Sequence, residues 1–158
     1  MADATGYELR SMTAADLGGV LAIEQASFPQ PWSRSDFESA VRRKETVAKV
    51  CTSNGKVLGY FVLEMKIGEA HLTNLAVHPD HRRRGVASHC LEGAVDAARD
   101  RGAARVSLEV EESNLPAHLL YRKTGFRAIA VLRNHYPEKG EDGYRMERKL
   151  GAPAPAGR

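Results

Sequence analysis

Two clusters of residues have the types and spacing that chemistry needs. The first is Arg82-Arg83-Arg84-Gly85-Val86-Ala87-Ser88, between a strand-like run and an amphipathic helical one. A helix N-terminus presents unpaired backbone N–H groups and about half a positive charge from its dipole. Gly85 and Ala87 keep bulk away from that backbone and the three arginines attract an anion, so the segment suits a phosphate. A solvated basic turn before an ordinary helix fits the same residues. A nucleic-acid patch is a weaker fit, because no aromatics are interleaved. The second cluster is Glu109 within VSLEV, Asn114 just beyond that strand, and Tyr121 on the next short helix. A carboxylate and a phenol brought together at a strand's end can serve as general base and general acid. Taken singly, Glu109 also reads as a surface charge and Tyr121 as a packed aromatic.

Other chemistries lack their usual signatures. The sequence has no Gly-x-x-x-x-Gly-Lys-Ser/Thr loop, no Gly-x-Gly-x-x-Gly, no Gly-x-Ser-x-Gly elbow and no His-Glu-x-x-His. His78 and His81 flank Pro79 in a loop, and no Cys or carboxylate cluster completes a four-ligand set, so no metal is expected. His71, His89, His118 and His135 are scattered and are expected to be structural or solvent-facing. Cys51 and Cys90 have no paired spacing, which fits a reducing cytoplasm.

The elements that must position these residues follow from periodicity and turn chemistry. Residues 7–10 read as a strand. Thr13-x-x-Asp16 resembles a capping box ahead of a helix with Leu17, Val20, Leu21 and Ile23 on one face. Pro29 and Pro31 end that helix, and Ser33 caps a second one running to about Lys44. TVAKVCTS and KVLGYFVLEM form a hairpin about Asn54-Gly55, a dipeptide that tolerates positive φ at both turn positions. HLTNLAV (71–77) is a third strand of that run, with Leu72, Asn74 and Ala76 on one face and Thr73, Leu75 and Val77 on the other. The next helix carries Val86, Ala87, Cys90, Leu91, Ala94, Val95 and Ala98 on one stripe, which places Cys90 in the core. RVSLEV, a short helix over 115–124, and two final strands around PEKGED complete the order β-α-α-β-β-β-α-β-α-β-β. Strand alternation sets Glu109 opposite Leu108 and Val110. That is an α/β arrangement with a mixed sheet covered on both faces.

Length and composition agree with one enzyme-sized domain. The chain has 158 residues, 23 Lys+Arg against 20 Asp+Glu, a net charge of +3, 42% hydrophobic and 27% charged residues. At this size roughly 68–70% of the unfolded surface is buried, so a core needs no metal or disulfide. The charge is too small for a nucleic-acid coat, and no run free of Asp, Glu, Lys and Arg exceeds ten residues, against the ~20 of a membrane span. MADATGYELR has neither a basic start nor an apolar middle, so no secretory leader is expected. The tail GAPAPAGR, residues 151–158, is expected to be disordered beyond a domain of residues 1–150.

Together the two clusters resemble the GNAT family of acetyl-CoA-dependent N-acetyltransferases, whose Gln/Arg-x-x-Gly-x-Gly/Ala is matched by Arg82-x-x-Gly85-x-Ala87. EQASFPQPWS, LTNLAVHPDHRRRGVA, SLEVEESN, LLYRKTGF and RNHYP narrow the resemblance to the RimI-type ribosomal-protein alanine N-acetyltransferases, over residues 7–150. The resemblance implies a mostly antiparallel seven-stranded mixed sheet with about four helices, splayed between strands 4 and 5, where acetyl-CoA lies. It implies backbone contacts from Leu75, Ala76 and Val77 to the pantetheine arm. Backbone N–H groups of Arg83, Arg84, Gly85, Val86, Ala87 and Ser88 would hold the pyrophosphate, and Asn114 would contact pantetheine. Glu109 is then the general base and Tyr121 the general acid of a direct attack, with the two cysteines as bystanders. The acceptor it implies is the N-terminal alanine of a small-subunit ribosomal protein in the cytoplasm, with no direct nucleic-acid or membrane partner. His135 stands where the family usually has tyrosine in RN-x-YP, a loop that shapes the peptide pocket. A broader N-terminal, lysine or small-molecule amine acetyltransferase is the alternative. A non-catalytic acyl-CoA-binding module would need neither Glu109 nor Tyr121. Glu111, Glu112, Glu138, Glu141 and Asp142 are expected to form an acidic rim that draws in a basic peptide.

Overall fold

The computed structural model describes residues 6–151, so the expectation for the tail lies, beyond Gly151, outside the described residues. Its elements are β1 (Glu8–Ser11), α1 (Leu17–Ser27), α2 (Arg34–Arg42), β2 (Thr46–Ser53), β3 (Lys56–Lys66), β4 (Glu69–Val77), α3 (Val86–Asp100), β5 (Arg105–Glu111), α4 (Leu115–Lys123), β6 (Arg127–Tyr136) and β7 (Glu141–Lys149). This is the expected order. The seven strands form one sheet, β1-β2-β3-β4-β5-β7-β6, antiparallel everywhere except at the β4–β5 pair.

Local chemistry accounts for the boundaries. Ser33 Oγ accepts from Asp36 N at 3.2 Å while Asp36 Oδ2 accepts from Ser33 N at 2.8 Å, a reciprocal cap that starts α2. Asp16 accepts from Thr13 N at 2.8 Å and forms a two-armed pair with Arg10, which fixes the entry to α1. Asn54 (φ 51°) and Gly55 (φ 78°) make the β2–β3 turn in the left-handed conformation expected of them. Helix α2 ends at Arg42, two residues short of the expected Lys44, where Arg43 turns extended. Glu141 and Asp142 belong to β7 rather than to the loop before it.

The sheet separates two apolar layers. On one face α3 lays Val86, Cys90, Leu91, Ala94, Val95 and Ala98 against Phe61, Leu63, Leu72, Val106, Leu108, Phe126 and Met146. On the other, α1 and α2 pack Leu17, Val20, Ile23, Phe37 and Ala40 against Val50, Tyr60, Val62 and Ala76. Both cysteines are buried, and Cys51 together with burial pushes the Cys90 thiol pKa up, as inert core thiols require.

One expectation for β4 fails in an informative way. Leu63 pairs with Leu72 but Val62 pairs with Asn74, so Thr73 is an extra residue, a β-bulge. Before it Ala70 and Leu72 face the α3 layer; after it Val77 and Leu75 do, while Ala76 faces α1 and α2. Leu72 and Ala76 therefore lie on opposite faces. The Thr73 hydroxyl donates to the Val62 carbonyl at 3.1 Å, satisfying a group the bulge takes out of the ladder.

Candidate active site

Strands β4 and β5 pair only at Glu69–Arg105, Ala70–Val106 and His71–Ser107. Beyond these pairs the strands part. Leu72–Val77 keep β3 on one side and Leu108–Glu111 keep β7 on the other, leaving a cleft of about 750 Å³ between them. The start of α3 closes one end of it, α4 one side, and Ser27 and Phe28 from the end of α1 part of the rim. Of the residues singled out by sequence, Leu75, Ala76, Val77, Arg83, Gly85, Ala87, Ser88, Glu109, Asn114 and Tyr121 all line this cleft. Arg84 and Val86 do not. The Arg84 carbonyl accepts from the Tyr7 hydroxyl at 3.0 Å, and the Val86 side chain is buried in the core under α3.

The glycine loop has the geometry of an anion cradle. Gly85 caps α3 in the left-handed conformation (φ 80°), and Arg83, two residues earlier, is also left-handed (φ 64°). No side chain caps the first turn of α3, so its N–H groups face outward at the cleft. Left-handed residues of this kind curl successive N–H groups into a concavity that fits an oxyanion. A Cβ built on Gly85 meets nothing within 4 Å, so the approach to the backbone is open. Arg82, Arg83 and Arg84 are exposed and have no acidic partner among the described residues; Arg82 reaches back to Ser27 Oγ at 3.3 Å.

The second cluster forms the cleft's other wall. Leu108 and Val110 are buried and Glu109 points the opposite way, as alternation requires. Asn114 begins α4 with its Oδ1 accepting from Ala117 N at 3.3 Å. Tyr121, one element later, packs beside Phe126 (ring centroids 5.9 Å apart), and burial pushes its hydroxyl pKa up to about 12. It stays protonated across the neutral range, and the residue lines the cleft. Among the described residues no group of three or more His, Cys, Asp or Glu gathers as a metal site would need, and no helix is long and apolar enough to cross a membrane.

The profile of the acetyltransferase (GNAT) family matches residues 17–126. The chain belongs to the GNAT acetyltransferase family. It is 35% identical over 129 residues, 82% of this chain and 86% of the other, to ribosomal protein bS18-alanine N-acetyltransferase of Escherichia coli (strain K12). It is 29% identical to an N-alpha-acetyltransferase of Sulfurisphaera tokodaii, covering 91% of this chain and 93% of that one. The crystal structure of the ribosomal-protein-S18-alanine N-acetyltransferase from Escherichia coli superposes with a TM-score of 0.85 at 32% identity, covering 96% of this chain and 98% of that chain. The seven-stranded sheet with one parallel pair is thus the GNAT fold, and the chain is an acetyltransferase of the kind that draws on acetyl-CoA.

Sequence reasoning missed the contacts of two side chains beside this cleft. The first is Glu24 of α1, 1% exposed, whose carboxylate accepts from the Tyr60 hydroxyl, from Asn74 Nδ2 at 2.9 Å and from Trp32 N at 2.9 Å. It ties the α1–α2 loop to β4 at the cleft wall, since Asn74 also lines the cleft. Glutamate at a position within an apolar helical run was the available signal. The second is His135, exposed as expected, whose Nε2 lies 2.8 Å from Glu109 Oε1. Its partner, not its exposure, is what sequence reasoning did not foresee.

Proposed function

We propose that this chain acetylates the free α-amino group of a protein N-terminus, with the N-terminal alanine of a small-subunit ribosomal protein as acceptor. Acetyl-CoA is the donor and the cytoplasm the place. Residues 1–150 form the acetyltransferase domain. The observation that carries this reading is one cleft holding a basic anion cradle at one end and Glu109 with Tyr121 on its wall, in a chain 35% identical to an enzyme named for that acceptor.

The residues present fit acetyl-CoA. Leu75, Ala76 and Val77 pair with β3 on one side only, and their cleft-facing edge, without a strand partner among the described residues, is suited to hydrogen-bonding an extended pantetheine arm, with Asn114 across the cleft. Backbone N–H groups from Arg83 to Ser88 suit the pyrophosphate. When bound, acetyl-CoA supplies a thioester carbonyl with a thiolate leaving group. An α-amine has a pKa of about 7.7–8.0, so roughly a tenth is neutral at pH 7, and one carboxylate suffices to take its proton. Glu109 performs that task directly or through a water. Tyr121 offers its hydroxyl hydrogen to the charge that develops on the departing sulfur. Neither buried cysteine is needed.

A peptide panel with acetyl-CoA tests the acceptor. Product is expected on a peptide with a free N-terminal alanine and not on an N-blocked peptide whose only amine is a lysine side chain. The reverse preference overturns the assignment. Equal use of many N-termini favours the broader reading, which the resemblance to the N-alpha-acetyltransferase of Sulfurisphaera tokodaii supports.

A further inference from the structure

β5 and β6 are not neighbours, because β7 runs between them, yet His135 of β6 reaches Glu109 of β5. Three features carry the imidazole across. The β6–β7 register is interrupted between Leu132 and Tyr136, and Asn134 takes the left-handed conformation (φ 50°) inside that interruption. The Asn134 N–H is held by Asp142 Oδ1 at 2.7 Å, and Asp142 Oδ2 pairs with Arg133 at 3.0 Å, so the kink is fixed from both sides. Under the crossing side chains β7 has Gly143, where a Cβ would stand 2.9 Å from the Tyr136 ring and 3.4 Å from His135. The Tyr136 ring meets the imidazole edge-on, at 90° and 5.0 Å between centroids.

We propose that His135 is a positioning residue for Glu109, a role resting on Glu109 as the base. A carboxylate can only accept, so Nε2 carries the hydrogen in this contact. With a neutral ring, that N–H fixes one carboxylate oxygen and leaves the other for the acceptor amine.

Other charged or titratable groups among the described residues surround the pair. Arg145 of β7 is the Cα partner of Glu109. His71 of β4 feels Glu109, and desolvation lowers its pKa. Glu111 of β5 is paired with Lys139, and Glu141 and Asp142 open β7, the latter beside Arg133 of β6. Tyr136 and Tyr121 are both pushed up to about 12, chiefly by burial.

The test compares His135→Leu, His135→Gln and Glu109→Gln with the wild type in two measurements: kcat at saturating acceptor and acetyl-CoA affinity by calorimetry. His135→Leu is expected to lower kcat roughly tenfold, the loss of one hydrogen bond to a charged group, with acetyl-CoA affinity unchanged. His135→Gln keeps a hydrogen-bond donor and should recover most of that loss. Wild-type kcat in both His135 variants, with Glu109→Gln inactive, would overturn the positioning role alone. An active Glu109→Gln would instead overturn the base itself, and with it what His135 serves.

Discussion

Tyr121 and Glu24 represent two ways a single side chain can matter. Tyr121→Phe removes only a hydroxyl and keeps the ring beside Phe126. Steady-state assays should show kcat lower by about 10²–10⁴-fold, the usual worth of a positioned acid, with a normal thermal melt; wild-type turnover would leave Tyr121 as packing alone. Glu24→Ala has the opposite profile. It strands the Tyr60 hydroxyl, the Asn74 amide and the Trp32 N–H, all of which donate to this one buried carboxylate. Unfolding in urea should show a loss of about 2–4 kcal/mol, partly restored in Glu24→Gln, which retains one acceptor oxygen. The contrast also explains what sequence could show. Gly85, Glu109 and Tyr121 sit in short local motifs with recognisable neighbours. Glu24 meets Asn74 fifty positions later, and Glu109 meets His135 across twenty-six, pairings that only the closed sheet creates.

Helix α3 and strand β4 work as a pair, one ending where the other's loop begins. The α3 stripe was legible because six of its seven apolar positions are buried and the seventh, Ala87, is the small residue left at the cleft. Its first turn is open only because Gly85 is left-handed and carries no side chain. Gly85→Glu would place a carboxylate at that positive end and strain the backbone, since an L side chain rarely adopts φ near 80°. Calorimetry should find acetyl-CoA binding lost in a folded protein, and Gly85→Ala should weaken it less. Unchanged affinity in Gly85→Glu would remove the cradle role from this turn. The bulge in β4 was not legible, because unbroken alternation is the simplest reading of HLTNLAV and nothing in residue type marks Thr73 as the extra one. Its effect is large all the same: it turns Asn74 toward Glu24 while leaving Leu75 and Val77 on the α3 side.

Charge over the whole molecule is divided, and the structure redistributes what composition suggested. The three loop arginines lack acidic partners among the described residues, whereas the expected acidic rim is partly self-neutralised: Glu111 pairs with Lys139 and Asp142 with Arg133. Glu112 and Glu138 remain exposed without a cationic partner among the described residues. If they steer the acceptor, KM for a basic alanine-starting peptide should rise with ionic strength while KM for a neutral one hardly moves, and the double change Glu112→Gln, Glu138→Gln should flatten the difference. Equal salt dependence for the two peptides would end that idea. The parted strands have a further consequence for the life of the protein outside catalysis. A row of unpaired backbone groups on an exposed strand ordinarily invites another chain to dock and aggregate. Here the two unpaired edges face each other across a wedge that widens from His71–Ser107. A flat intruding strand, needing about 4.8 Å to each neighbour, can match both edges only at one depth. Divergence thus keeps the edges available to a narrow, flexible ligand while denying a foreign strand the parallel rails along which fibrils grow.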